Sequence, residues 1–267
     1  MKQNTASPNK IALVTGASGG IGSSFAKQLA AQKYDLVLSG RKEQELRNLA
    51  DDITATYGVG VELVITDLSS EQGIEVLTDR VAALDNIDML VSNAGYGERS
   101  RFEHEQVSDV MKMISVSVNA TVQLVHAALP GMIRRKSGNI IAVSSLSAFV
   151  PAPGSSIYSS SKVFLNSFME SIYMEVHKYG IKVQSLCPGL VHTGFHNNSQ
   201  VAHTVDARGL NLWMEPDKVV EHSLRALMKG EVICIPGTVN KLIKRLLPSL
   251  PRRSYYSIVD RIAQRFK

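Results

Sequence analysis

IALVTGASGGIG, residues 11–22, is the stretch on which the fold turns. Its first five residues, IALVT, are aliphatic or β-branched and read as a short buried strand. Phe25, Leu29 and Ala30 follow at helical spacing, so the glycine-rich run between them is a strand-to-helix turn. Glycines there allow a tight turn and a close approach of the backbone to a pyrophosphate. The free N–H groups and dipole of the helix N-terminus favour such a negative charge. Gly16, Gly20 and Gly22 are spaced GxxxGxG rather than GxGxxG, with Ser18 and Ile21 completing the loop. By itself such a loop is equally a tight turn with no ligand.

The same alternation continues outward from this stretch. DLVLS (35–39), VELVIT (61–66), DMLVS (88–92), NIIAVS (139–144), KVQSLC (182–187) and EVICIP (231–236) read as further strands. Helical patterns lie between them, as in Leu165, Phe168, Met169, Ile172 and Met174. Strands alternating with helices predict an α/β fold, a parallel sheet covered by helices on both faces. Residues 189–215 read as a long stretch without a strand, and residues 238–267 as a basic appendage.

Two further features carry chemistry. The second strand ends in Ser39-Gly40-Arg41, where an NAD site would place a carboxylate against the ribose 2′-hydroxyl. A guanidinium there suits a 2′-phosphate, which favours NADP(H) over NAD; the bland alternative is a solvated arginine opening a helix. Tyr158 and Lys162 are four apart at the start of a helical pattern and share a face. An ordinary tyrosine keeps its proton to about pH 10, and an ammonium one turn away is expected to pull that value down. The pair begins the helix after NIIAVS, at the carboxyl end of a strand, where open α/β sheets place their ligands.

In this order the motifs resemble the classical short-chain dehydrogenase/reductases over about residues 10–237. The resemblance rests on TGASGGIG (15–22), Asp67-Leu68, Asn93-Ala94-Gly95, Asn119, Ser145, Tyr158-xxx-Lys162, and Pro188-Gly189 followed by Thr193. The family's usual Asn-Asn-Ala-Gly begins here with Ser92. The resemblance implies a Rossmann-like doubly wound domain over residues 1–237, with seven parallel strands in the order 3-2-1-4-5-6-7 and residues 238–267 as an extension. It implies that Tyr158 is the general acid or base and that Lys162 holds the nicotinamide ribose. Ser145 would bind the reacting oxygen, Ser144 being the neighbour that could be confused with it, and Asn119 would anchor a water in a proton relay. Asp67 and Leu68 would flank the adenine, Asn93, Ala94 and Gly95 the adenosine ribose, and Pro188, Gly189, Val191 and Thr193 the nicotinamide side. The implied activity is NADPH-dependent interconversion of a carbonyl and a secondary alcohol; the rival reading is a cofactor-bound sensor or scaffold on the same fold.

Substrate choice in that family lies in the loop after the serine, here 146–151, and in the segment after Pro188-Gly189. Phe149, Val150, Phe195, Leu210, Leu212, Trp213 and Met214 make both segments lean apolar, which suits a hydrophobic substrate or simply a packed lid. His192 and His196 have metal-like spacing, but Thr193-Gly194 between them and the lack of a nearby acidic or cysteine ligand argue for no metal.

With 44% hydrophobic and 20% charged residues, the 267-residue chain reads as an ordinary globular protein. Two cysteines cannot form a disulfide framework, and MKQNTASPNK has no apolar core, so a reduced, cytoplasmic setting is expected. The net charge of +5 belongs to the C-terminus: residues 241–267 hold eight basic side chains against Asp260 alone. Val239, Leu242, Ile243, Leu246, Leu247 and Leu250 recur there at helical spacing among Lys241, Lys244 and Arg245. A tail of this kind is expected to bury Leu242, Leu246 and Ile262 against protein, with peripheral contact to an anionic membrane as the open alternative. Nucleic acid is not expected, since the body shows no basic patch to match. The resemblance to the short-chain dehydrogenase/reductases further implies a homo-oligomer, a dimer or tetramer, through the long helices near 104–135 and 155–179.

Overall fold

Short aliphatic strands set the frame of the computed structural model, which describes residues 10–97, 100–193 and 213–264. In chain order it runs β1 (Ile11–Thr15), α1 (Gly20–Ala31), β2 (Asp35–Gly40), α2 (Glu43–Tyr57), β3 (Val61–Ile65), α3 (Glu71–Ala82) and β4 (Ile87–Ser92). There follow α4 (Val107–Ile114), α5 (Ala120–Arg135), β5 (Gly138–Val143), α6 (Ser156–Val176) and β6 (Ile181–Leu186). The C-terminal part adds β7 (Leu190–Val191), β8 (Trp213–Met214), α7 (Pro216–Met228), β9 (Ile233–Cys234), α8 (Thr238–Leu246) and α9 (Arg252–Gln264). Seven strands form one sheet in the order β3-β2-β1-β4-β5-β6-β9, all pairs parallel. This is the doubly wound order expected from the sequence.

Alternation along each strand divides the core between two faces. Ala12 and Val14 of β1 pack with Phe25 and Leu29 of α1, Leu46 and Ile53 of α2, and Val219 and Leu227 of α7. Leu13, one residue out of phase, packs with Ile74 and Leu77 of α3, Leu124 and Ala128 of α5, and Met169 of α6. Strands buried on both faces are why these runs read as nearly continuous aliphatic sequence.

The helix before β5 is continuous from Val107 to Arg135 but carries a π turn at Ser115–Asn119. It is long and apolar enough to cross a membrane, yet Leu124, Val125, Ala128 and Met132 are buried in the core, which accounts for its composition. Residues 189–215 are not free of strand: β7 and β8 pair in parallel as a two-stranded sheet, Leu190 with Trp213 and Val191 with Met214. Two-residue strands are too short to leave a period in the sequence. Phe195, His196, Leu210 and Leu212 lie outside the described residues.

The tail departs from expectation as well. Leu242 and Leu246 are exposed, at 54% each, rather than buried against the body. Asn240, Tyr255 and Val259 are the positions that dock, at 5%, 2% and 7%. The aliphatic stripe therefore faces away from the body, because a polar residue and a tyrosine with specific partners have taken the inner face. The side chain of Ile262 lies outside the described residues.

Candidate active site

Thr15 ends β1 and ties the nucleotide end together. Its hydroxyl accepts the N–H groups of Asn93 and Ala94 at 2.9 and 2.8 Å, while the Asn93 side-chain amide donates to the carbonyls of Thr15 and Gly16 at 2.9 and 3.1 Å. The carboxyl ends of β1 and β4 are thereby clamped side by side. Gly16 turns there at φ +63°. A methyl group on Gly22 would lie 2.3 Å from the Gly16 carbonyl oxygen, so α1 can start this close to the strand only with glycine. No side chain caps α1 at Gly19, and its first turn carries no acid. The N-terminal amides are thus left for an anion.

Arg41 is exposed and pairs with Asp67 at 3.7 Å. Burial pushes the Asp67 carboxyl up, but the Ser69 N–H at 2.9 Å and the Arg41 guanidinium outweigh it and hold the pKa below the ordinary value. Leu68 beside it is buried. Ser18 turns its hydroxyl toward Gly40, where a Cβ would lie 3.8 Å from the oxygen, so Ser18 and Arg41 border one spot at the end of β2.

The catalytic-type residues converge at the carboxyl ends of β5 and β6. Ser144 Oγ donates to the backbone carbonyl of Lys162 at 3.0 Å and is buried, so its hydroxyl is committed to structure. Ser145 instead faces the Tyr158 phenol, with its own oxygen accepting the Ser147 N–H at 3.1 Å. Gly97 lies flat on the Tyr158 ring, where a Cβ would come within 2.9 Å. Lys162 is buried, its Nζ 5.5 Å from the Tyr158 ring centre and donating to the Val143 carbonyl at 2.9 Å.

The electrostatics correct one expectation. Crowding by protein raises the Tyr158 pKa above its ordinary value, and the Ser145 and Ser147 hydroxyls only offset part of this. Burial likewise lowers Lys162 to about 8. Both groups pay for leaving water, so the net shift of Tyr158 is upward, not the downward one expected from the ammonium.

Thr193 rests on Gly20, where a Cβ would meet the threonine methyl at 2.9 Å. The segment after Pro188-Gly189 therefore folds back over the glycine turn. Val191 is buried in β7, and the Pro188 carbonyl accepts the Leu146 N–H at 2.9 Å, joining the two loops expected to line a substrate pocket. His192 stacks on Trp213 with ring centres 4.9 Å apart and lies 3.9 Å from Glu215.

Asn119 closes the π turn with its side chain exposed, and so does not share the buried surroundings of Lys162. Ser117 does. Its hydroxyl is buried without a hydrogen-bond partner among the described residues, and a Cβ on Gly95 would lie 3.6 Å from it and 3.5 Å from Lys162 Nζ. Sequence reading missed Ser117 because one serine in an apolar helix carries no pattern. It also missed Asn240, whose amide packs on Gly189, where a Cβ would lie 2.6 Å away. A lone asparagine inside an aliphatic tail was the available signal.

Comparison with known proteins agrees with this geometry. The family model for short chain dehydrogenase matches residues 10–203. An uncharacterized oxidoreductase of Staphylococcus saprophyticus is 32% identical over 222 residues, covering 83% of this chain and 92% of the relative. The inactive hydroxysteroid dehydrogenase-like protein 1 of Homo sapiens is 33% identical over 79% of this chain and 63% of its own length. Among solved structures, a short-chain dehydrogenase from Sphingobium yanoikuyae in complex with NADPH superposes with a TM-score of 0.79 at 26% identity, covering 91% of this chain and 96% of that one. The clamped glycine turn, the paired Tyr158 and Lys162 and the matched family model lead to one conclusion: the chain belongs to the short-chain dehydrogenase family of oxidoreductases.

Proposed function

We propose that the chain interconverts a carbonyl and a secondary alcohol on a hydrophobic substrate, with NADP(H) as hydride carrier. The observation that carries this reading is the convergence of Ser145, Tyr158 and Lys162 beside the glycine turn. The residues fit the cofactor: α1 starts uncapped behind Gly19, Gly22 leaves no room for a side chain, and Ser18 with Arg41 borders the place a 2′-phosphate would take. Gly16, Gly20 and Ile21 would complete the pyrophosphate turn. Asp67 and Leu68 would flank adenine, Asn93, Ala94 and Gly95 would line the floor, and Pro188, Gly189, Val191 and Thr193 would close over the nicotinamide. The bound cofactor supplies or accepts the hydride.

In reduction, the Tyr158 phenol gives its proton to the carbonyl oxygen while Ser145 donates a hydrogen bond to the same atom. A raised pKa keeps Tyr158 protonated near neutrality, the state an acid needs. Lys162 holds a positive charge near the phenolate this leaves, and reprotonation proceeds from solvent. The unpartnered Ser117 hydroxyl offers a buried station beside Lys162. Tyr158→Phe is expected to leave NADPH binding intact and to lower turnover of a hydrophobic ketone by about a hundredfold or more. The consumption of NADPH across a panel of such ketones measures it, and full activity in the variant refutes the role.

A second reading, a cofactor-bound sensor without turnover, draws on the human relative described as inactive. It predicts NADPH binding with no hydride transfer to any member of that panel. The oxidoreductase reading extends to a homo-oligomer, a dimer or tetramer, which the exposed apolar side chains on α4 and α6 support, and to a cytoplasmic setting.

A further inference from the structure

We propose that the C-terminal helix pair is a docking surface for an anionic lipid bilayer, held at the edge of the active-site cleft. Val239, Leu242 and Leu246 sit three and four residues apart on α8, so they form one stripe, and they are 42%, 54% and 54% exposed. Lys241 and Arg245 form the adjacent row, both exposed. α9 adds exposed Tyr256 together with Arg252 and Arg253. An aliphatic stripe bordered by cations on a surface helix is the arrangement that enters the headgroup boundary of an anionic membrane.

The inner face of the tail is fixed by separate contacts. Asn240 donates to the Pro236 carbonyl at 2.7 Å and packs on Gly189. Lys244 lies over the Phe149 ring at 5.3 Å, and the Tyr255 hydroxyl donates to the Pro151 carbonyl at 3.0 Å. These contacts tie the tail to the 146–151 loop and the Pro188-Gly189 turn, so the exposed stripe is displayed beside the place where substrate enters. For a substrate that partitions into lipid this shortens the path to Tyr158; that last point rests on the proposed reaction, while the docking itself does not.

Charge decides between occupants. In a twofold contact between two copies the same patch meets itself, and here that sets the exposed Lys241, Arg245, Arg252 and Arg253 against the same four cations. Self-association has an uncharged alternative in Val163, Phe164 and Met174 on α6. Nucleic acid would use the cations and leave the aliphatic stripe in water. An anionic bilayer satisfies both.

Co-sedimentation of the full chain with vesicles, in the absence of cofactor and substrate, tests this. Vesicles of phosphatidylcholine alone are compared with vesicles containing phosphatidylglycerol, at low and high salt. The expected result is binding to the anionic vesicles that weakens with salt. Leu242→Glu with Leu246→Glu should weaken it about tenfold or more, with circular dichroism and melting unchanged. Lys241→Glu with Arg245→Glu should remove the preference for anionic lipid. The proposal is overturned if the parent chain stays in the supernatant when anionic vesicles are pelleted, or if neither pair of substitutions alters binding. It is equally overturned if the leucine pair dissociates a lipid-free oligomer while the parent ignores vesicles, since the stripe then belongs to a second copy. A chain that binds vesicles yet reduces no ketone keeps this proposal and defeats the reaction; the converse separates them the other way.

Discussion

At Lys162 an ammonium ordinarily charged to about pH 10 is only 4% exposed, and its burial brings the pKa down to about 8. Below that value the folded chain carries the charge at a cost, because the unfolded chain holds the same proton more tightly. Lys162→Met is therefore expected to stabilise the protein at pH 7 by roughly 3 kcal/mol while abolishing turnover. Between about pH 8 and 10.5 the unfolded chain still binds a proton that the folded chain has released, so the parent gains stability as pH rises. The advantage of the methionine variant should shrink across that window, as measured by denaturant unfolding at several pH values; a constant gap would refute the assignment. Arg41 belongs to the same scale. It is exposed, so solvent screens it, and Arg41→Ala should reduce the preference for NADPH over NADH by about 1–2 kcal/mol, read from the two dissociation constants. Equal affinities in the parent would dismiss the role. Arg41 was legible as a residue type at the end of a strand, whereas its pairing with Asp67 at 3.7 Å was not, since nothing in sequence says which surface charges meet.

At the scale of elements, the first strand, turn and helix could be read from residues 11–22 because each local preference agrees with the next. The glycines make that reading testable. Gly22→Ala drives a methyl into the Gly16 carbonyl, whereas a Cβ on Gly19 meets nothing within 4 Å. The first substitution is expected to destabilise the chain by about 1–3 kcal/mol and to weaken cofactor binding. Gly19→Ala, at an extended backbone position, should do neither; thermal melting and NADPH titration of the two variants decide it. Alternation placed the strands within a residue or two, because strands buried on both faces are marked by long aliphatic runs. It failed for β7 and β8, whose two-residue pairing comes from chain segments more than twenty residues apart. It is silent on the π turn at Ser115–Asn119, where Ser117 is buried and Asn119 exposed, because one added residue in a helical turn leaves no mark on the spacing.

For the whole molecule, the sheet and its two helical layers account for nearly all the buried aliphatic residues, which makes the exposed ones informative. Val107 and Met111 of α4 are 73% and 54% exposed, and Val163, Phe164 and Met174 of α6 are 47%, 43% and 64% exposed. Val107 and Met111 are one turn apart, as are the stacked Phe164 and Phe168, whose ring centres lie 5.8 Å apart, and α4 packs beside α6. Isolated apolar residues on a surface need no explanation, but a cluster on two adjacent helices marks an association surface. The tail, whose contacts are with Phe149, Pro151 and Gly189, leaves these side chains uncovered, so docking of the tail and pairing through α6 do not compete. A stable pair needs about 800 Å² from each partner, an area that a helix face of this length can supply. Phe164→Glu combined with Met174→Glu should therefore convert a dimer or tetramer into a monomer in sedimentation experiments. The substituted side chains project from α6 on the exposed side while Leu165 and Met169 hold its buried side, so the monomer should keep its circular dichroism spectrum. Loss of the partner should lower the melting temperature, which should depend on protein concentration in the parent but not in the variant. A parent chain that sediments as a monomer at micromolar concentration would remove α6 as an interface.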